Sequence, residues 1–331
     1  MSARLLAARR TAGLSQVELA ARAGVSRQLI GAAEAGRHLP RVDAALAIAG
    51  ALGVDVASLF SASPIALDVR TGVPPVSGML VRAGRVGDLV VTDSAGIGAE
   101  GWEAADAVVE GDGVVSFNRH RPGIVVAGCE PGLEMLERIL RDGGVGAMST
   151  PMSSAAAIAA LDAGRLHAAV VHGPVGTVGE RAHDRTVDRY RLVQWRVGLA
   201  APDDAPADWL PAALSGQTDV VQREAGAGVQ RTFEEHAGTE VPGPRVATHI
   251  AAARRAILAG VPAVTIEPAA LAVGAQFHAL DVHEAELWVD RTWAKDQVVA
   301  DALTVVSGDR FTRRLAAIGG YDLTGCGDRI R

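Results

Sequence analysis

Four short stretches in the C-terminal part of this 331-residue chain carry the residue types from which a small polar pocket is built. They are Gly128-Cys129-Glu130-Pro131-Gly132, the hydroxyl-rich run 149–154 ending in Ser153-Ser154, the run 222–228 with Arg223 and Gly226-Ala227-Gly228, and Thr248-His249. Each lies where an apolar, strand-like run gives way to a helical pattern. A helix N-terminus presents unpaired backbone N–H groups and a partial positive charge, so it holds a carboxylate or an oxyanion without a side-chain cation. Glycines let a ligand approach the backbone, and serine and threonine add donors. Several such termini converging on a crevice would bind a small anionic or polar molecule. His172 and Glu267, each at the end of an apolar run, are further candidates to line that crevice.

A different chemistry is written in residues 16–35, QVELAARAGVSRQLIGAAEA. Two short helices that cross at a tight turn need a small residue at the crossing, which Ala20 supplies. They need a turn residue that tolerates positive φ, which Gly24 does. Ser26 is placed to cap the second helix, and Ile30 and Ala33 have the spacing to face the first. Residues 1–60 hold seven arginines against Glu18, Glu34, Asp43 and Asp55, a net of +3 in a chain whose total is −6. A positive module in an acidic chain suits phosphate contact by that module alone.

The elements that must position these residues follow from periodicity. Five short helices are expected over 3–60, punctuated by Gly13, Gly24, Gly36 and Gly53. The pattern breaks at Ser61-Ala62-Ser63-Pro64 and again at Pro74-Pro75, with no clear period between them. Residues 78–117 read as a small β-rich connector, its short apolar runs separated by Gly84, Gly87, Gly96 and Gly113. Beyond 122, strands over 123–127, 168–172, 194–200, 219–223 and 263–267 alternate with helices over 133–141, 154–163, 229–236 and 250–259, a parallel-sheet α/β pattern. Hydrophobic residues at 49% and charged residues at 21% are enough to bury real cores.

With its flanks, the N-terminal stretch resembles XRE-type, phage-repressor-like DNA-binding domains. Arg9, Leu14-Ser15-Gln16, Glu18-Leu19-Ala20, Gly24-Val25-Ser26, Glu34, Gly36 and Pro40 carry the resemblance. Leu46-Ala47-Ile48-Ala49, Leu52-Gly53-Val54 and Leu59-Phe60 complete it. It implies that Gln16 reaches a phosphate and that Arg27 and Gln28 reach base edges in the major groove, where arginine suits guanine and glutamine suits adenine. Ser26, Gly31, Ala32 and Arg37 complete the implied DNA face, Gly31 and Ala32 being small where longer side chains often sit in this family. A homodimer on a pseudo-palindromic operator is the implied assembly.

The body resembles the periplasmic-binding-protein-like domain of molybdate-type solute receptors, which is also fused to some molybdenum-cofactor proteins and XRE regulators. The matching residues are Gly128-Cys129-Glu130-Pro131, the Ser153-Ser154 helix start, Leu161-Asp162-Ala163-Gly164 and His172. Gln222-Arg223 through Gly226-Ala227-Gly228, His249, Ala259-Gly260 and the strand over 277–280 continue the match. The implied fold is a two-lobed α/β type II periplasmic-binding-protein-like domain, with lobe one at about 119–195 and 291–331 and lobe two at about 196–290. Crossing strands over 191–200 and 277–288 would join the lobes, which close on a ligand. A molybdate-like oxyanion is within that implication, but Ala227 and Val229 stand where relatives carry a serine and a threonine. Val261-Pro262-Ala263 likewise replaces the usual acidic residue. The loss of two hydroxyl donors opens the site to a different or less polar effector.

Other features carry less. No run reaches the roughly 18 apolar residues of a membrane span, and the N-terminus lacks the pattern of an export signal, so a cytoplasmic protein is expected. Two cysteines, Cys129 and Cys326, are too few for a disulfide scaffold or a four-cysteine zinc site. At a helix start, Cys129 is placed for a stabilised thiolate. His278, Asp281, His283, Glu284 and Glu286 do not share one strand face and read as a solvated edge, not a metal site. Arg119-His120-Arg121 reads as a solvated linker. No nucleophile elbow, phosphate-loop lysine, paired zinc ligands or dinucleotide fingerprint is present, so neither an enzyme, a metal site nor a cofactor is expected. The expectation is a ligand-responsive DNA-binding regulator with domains at 1–62, 63–118 and 119–331. The alternative is a solute-binding or molybdenum-cofactor-related protein whose helical head contacts protein.

Overall fold

A computed structural model of the protein describes residues 2–35, 37–54, 56–60, 66–94, 105–111, 113–117 and 123–330. Gly36, Asp55, the 61–64 break, Gly96 and the 119–121 basic run lie outside the described residues. The chain divides into two units, Met1–Ile65 and Ala66–Arg331.

The first unit consists of α1 (Ser2–Thr11), α2 (Gln16–Ala23), α3 (Arg27–Glu34), α4 (Val42–Leu52) and α5 (Val56–Phe60). Local chemistry sets the ends of the middle pair. The Ser15 hydroxyl accepts from Glu18 N at 3.2 Å while the Glu18 carboxylate accepts from Ser15 N at 2.7 Å, satisfying two amides that the helix leaves unpaired. Gly24 closes α2 at φ 63°, a left-handed conformation that costs other residues roughly 1 kcal/mol or more. The Ser26 hydroxyl accepts from Leu29 N at 3.1 Å and starts α3. The apolar stripes of both helices then bury Leu19, Ala20, Ile30 and Ala33 with Leu5, Ile48 and Leu59 in one core.

The second unit begins with a five-stranded sheet of β1 (Ala66–Asp68), β2 (Leu80–Val86), β3 (Leu89–Ser94), β4 (Ala107–Glu110) and β5 (Gly113–Ser116), in the order β1-β3-β2-β4-β5. The aperiodic stretch after residue 65 supplies β1, which runs parallel to β3. Gly84 allows a close approach here: a Cβ at this position would sit 2.5 Å from Val125 Cγ2. Arg82 fastens the same contact, donating to the Ser149 carbonyl at 3.0 Å and to the Glu137 carboxylate.

Next come β6 (Gly123–Gly128), α6 (Gly132–Asp142), β7 (Gly146–Pro151), α7 (Ser154–Asp162), β8 (Ala168–Pro174) and β9 (Val187–Ala201). They are followed by α8 (Trp209–Leu214), β10 (Gln222–Arg223), α9 (Gly228–Ala237), β11 (Arg245–Val246), α10 (His249–Ala259) and β12 (Ala263–Ile266). The chain ends with α11 (Glu267–Leu271), β13 (Gln276–Asp290), α12 (Gln297–Val306), α13 (Asp309–Ile318), β14 (Tyr321–Asp322) and β15 (Arg329–Ile330).

Eight of these strands form one curled sheet in the order β12-β9-β13-β8-β6-β7, with β14 and β15 added to β9. The expected parallel pairing holds for β6 with β7 and with β8. It does not hold across β8-β13-β9-β12, which is antiparallel throughout. The reason is connectivity: β9 carries the chain from one lobe to the other and β13 carries it back, so the two must run in opposite directions. The strand expected over 194–200 is the second half of the 15-residue β9. Residues 146–151, which overlap the hydroxyl-rich run 149–154 and are not among the expected strands, form β7, paired with β6 residue for residue. One lobe gathers β6, β7 and β8 with α6, α7, α12 and α13, and the other gathers β10, β11 and β12 with α8 to α11. Among the described residues no helix is long and apolar enough to cross a membrane.

His167 locks the start of β8 to β6. Its Nδ1 accepts from Val125 N at 2.9 Å, and its ring meets Trp293 edge-on at 5.5 Å. Burial pushes its pKa down to about 4. An unfolded chain takes up this proton near pH 6.5 and the folded chain only near 4, so stability is lost as pH falls through that window. The H167N variant, whose Oδ1 can replace Nδ1 as acceptor, should flatten the loss by on the order of 3 kcal/mol between those limits. Urea unfolding across pH measures it; an unchanged slope would show that the buried imidazole titrates normally.

Candidate functional site

In the first unit, the residues implied to face DNA sit at the start of α3. Arg27 and Gln28 are exposed on its first turn, just after the Ser26 cap, and Arg37 is exposed beyond its end. Gly31 and Ala32 are half-buried, and a Cβ on Gly31 would meet the Gln16 amide at 3.8 Å. Gln16, the implied phosphate contact, donates to Glu34 Oε2 at 2.8 Å. The same carboxylate takes Arg9 Nε and Nη2 at 2.6 and 3.0 Å. Burial alone would raise the Glu34 pKa, but the hydrogen bonds from Arg9 and Gln16 outweigh it and hold the group below its ordinary value. The three motif residues therefore form one ionic knot joining α1, α2 and α3.

In the second unit, the two lobes face each other across a small open crevice with room of about 60 Å³. One wall is the β6–α6 turn with Cys129 and Glu130, together with the end of β7. The other is Ala247, the Thr248 cap and the first turn of α10 with His249. The Thr248 hydroxyl accepts from Ala251 N at 3.1 Å, which fixes that turn and presents His249. Cys129 Sγ and His249 Nε2 are 3.2 Å apart, although 120 positions separate them in sequence. His172, in β8, brings a third donor, and one ligand atom from each of these residues lies within 4.8 Å of the other two.

Arg223, the last residue of β10, is fully buried beside this cluster. Its Nη2 donates to the Ala247 carbonyl at 2.6 Å and lies 3.6 Å from Cys129 Sγ, while Nη1 has no hydrogen-bond partner among the described residues. No carboxylate pairs with it among the described residues. His249 Nδ1 and Glu130 Oε2 are likewise buried without partners there. Glu130 Oε1 accepts from Gly132 N and from the Tyr321 hydroxyl, each at 2.7 Å, yet burial pushes the carboxyl up to about 7. Burial also pushes His172 down to about 3 and His249 well below its ordinary value, so both rings are neutral. The site is thus one buried cation beside two neutral imidazoles and a carboxyl group that titrates near neutrality.

The expectation of a stabilised Cys129 thiolate is corrected. Helix α6 begins at Gly132, three residues on, and burial raises the thiol pKa more than Arg223 lowers it. The solvated-edge reading of the 278–286 cluster is also corrected in part. His283 is fully buried, with Nδ1 3.4 Å from His172 Nδ1 and Nε2 3.3 Å from Thr232 Oγ1. Glu286 is buried on the opposite face, where it binds Arg189 and the Trp288 indole. A register shift between Ala279 and Asp281 resets the alternation of β13, and nothing local in the sequence announces it.

The remaining candidates hold the site's neighbours in place. Ser154 Oγ accepts from His172 N at 3.0 Å, and Ser153 caps α7 by accepting from Ala156 N at 3.3 Å. Gly226 turns the chain at φ 81°, and Ala227 starts α9 without a side-chain cap. Gly228 lets α9 abut the histidines, since a Cβ there would lie 3.2 Å from His172 Cε1. Glu267 is drawn away from the crevice cluster by Arg196, which binds both of its oxygens.

Residues 5–59 match the protein family described as Helix-turn-helix, and the first unit is a helix-turn-helix domain. No curated protein matches the chain. A restriction-modification controller protein, C.AhdI from Aeromonas hydrophila, is 34% identical over 18% of this chain and 89% of its own, at TM-score 0.17. An ABC-type phosphate transport receptor from Vibrio cholerae is 13% identical over 60% of this chain and 98% of its own, at TM-score 0.42. The reduced OxyR regulatory domain from Pseudomonas aeruginosa is 11% identical over 54% of this chain and 94% of its own, at TM-score 0.41. By its own topology, with two lobes joined by two crossing strands, the second unit resembles periplasmic-binding-protein-like folds.

Because Thr248 is the cap that presents His249, T248A should cost about 1 kcal/mol of stability and T248S almost nothing. Denaturant unfolding of the two variants decides this. Equal losses would mean that the cap is held by packing and not by the hydroxyl.

Proposed function

We propose that the chain is a one-component transcriptional regulator: the helix-turn-helix unit binds operator DNA, and the second unit binds a small anionic effector that changes operator affinity. The observation that carries the effector assignment is Arg223, a fully buried guanidinium with one unpartnered nitrogen and no paired carboxylate among the described residues. A buried charge without a counter-charge is costly, and an anion in the crevice would offset it with a charge-assisted hydrogen bond. The first turn of α10 supplies backbone donors to the same space.

Molybdate and its analogues fit this reading less well than a carboxylate or a mixed-donor anion. Ala227 and Val229 are buried and lack hydroxyls, while Ser153 and Ser154 are committed to backbone groups. We read the active assembly as a cytoplasmic homodimer that uses Arg27, Gln28 and Arg37 at the DNA, by the resemblance of its head, with no catalytic step. Domain limits at 62 and 118, and lobes that close about β9 and β13, belong to the same proposal.

The test has two arms on the full-length protein. R27A combined with Q28A should abolish binding to operator fragments selected from random DNA, while leaving unfolding unchanged. The R223M variant should keep DNA binding but lose the thermal shift given by a panel of carboxylates and oxyanions, a shift worth about 2.7 kcal/mol at 100 times the dissociation constant. Undiminished DNA affinity in the double variant would favour the alternative, a solute-binding or molybdenum-cofactor-related protein whose head contacts protein.

A further inference from the structure

We propose that Cys129, His172 and His249 form a three-ligand site for a zinc(II)-class metal ion, with a fourth position open to the crevice. The inference needs only the crevice and stands apart from DNA binding.

The geometry is close to what such an ion requires. With bonds of about 2.3 Å to sulfur and 2.0–2.1 Å to nitrogen, tetrahedral ligand atoms lie roughly 3.3–3.6 Å apart. Cys129 Sγ and His249 Nε2 are already at 3.2 Å, and the widest separation in the triad is within 4.8 Å, so small side-chain rotations close it. The donor set, one sulfur and two imidazoles, is one that soft and borderline ions favour over magnesium or calcium. On binding, the Cys129 thiol gives its proton to solvent and a metal–sulfur bond forms, with no change of oxidation state.

Two further observations separate this site from a simple thiol–imidazole hydrogen bond. The first is support behind a ligand. His172 Nδ1 faces His283 Nδ1, and His283 Nε2 in turn faces Thr232 Oγ1 and, at 3.7 Å, Asp281. That relay occupies one nitrogen of His172 and leaves Nε2 for a metal, the kind of outer partner that fixes a ligating ring. The second is charge. Arg223 Nη2 lies 3.6 Å from Cys129 Sγ, with Nη1 unpartnered among the described residues, so it offsets the thiolate a metal would create. Thiolate and guanidinium then cancel, which leaves a dication that an anion in the fourth position would balance. Because Cys129 and His172 belong to one lobe and His249 to the other, the ion would also tie the lobes together.

The test uses full-length protein stripped by chelator dialysis and titrated with zinc(II) and cobalt(II). The expected result is one equivalent bound, with a thiolate-to-cobalt charge-transfer band in the near ultraviolet. C129S, nearly isosteric, should lose the band and weaken zinc binding more than 100-fold, H249N should weaken it as much, and C326S should change nothing. H283N should weaken it by about 10–100-fold through His172 alone. The wild-type band is informative even if C129S folds poorly. Absence of the band, or C129S binding zinc as the parent does, would overturn the proposal. R27A/Q28A protein that binds zinc normally but not DNA would show the two readings to be separate.

Discussion

The second unit depends on the pairing of β9 with β13. Each strand has 15 residues, and their register runs from Gln276 opposite Ala201 to Asp290 opposite Val187. Every other strand of the curled sheet is attached to one or the other, directly or through β8. Because both strands pass through both lobes, the lobes are halves of one hydrogen-bonded structure. The crevice between them is the gap left where the sheet curls. Residues such as Leu199, Val197, Leu287 and Val289 are buried on these strands, and their burial holds the frame.

That frame makes a polar site affordable. Arg223, His172, His249, His283 and Glu130 are all buried at the lobe junction, and among the described residues Arg223, His249 and Glu130 each keep one polar atom whose lost hydration no protein partner offsets. The three histidines shed their charge and Glu130 titrates near neutrality, which limits the cost. Arg223 cannot shed its charge. A cation held this way, with one of its own nitrogens and two neighbouring polar atoms unpaired among the described residues, is arranged for something that enters the crevice. Elsewhere the fold pairs its buried charges: Asp188 with Arg291 and Arg329, Glu286 with Arg189, and Glu267 with Arg196.

The first unit solves a smaller problem with shorter-range means. A capping box, two left-handed glycines after α2 and α4, and one ionic knot among Arg9, Gln16 and Glu34 fix five helices around a small apolar core. The knot is nearly shielded from solvent, so it specifies which helix faces which more than a surface pair would. It leaves the first turn of α3 free to present Arg27 and Gln28.

The amino-acid sequence by itself determined the first unit almost completely, because its signals act within one or two helical turns. Ser15 with Glu18, Gly24, Ser26, and the spacing of Ile30 and Ala33 each specify structure within four residues of themselves. It also marked the turns that carry Cys129, Thr248 and Gly228, since a helix start has a local signature. Tertiary structure alone decided what those turns do. Cys129, His172, Arg223 and His249 become one site only because β9 and β13 fold distant segments against each other. His283 joins them, and Glu267 leaves them for Arg196, for the same reason. The direction of pairing was equally invisible, because an apolar run specifies a strand but not which neighbour it meets. Local patterns choose elements; burial of charge, register and convergence are properties of contacts between residues from tens to more than a hundred positions apart.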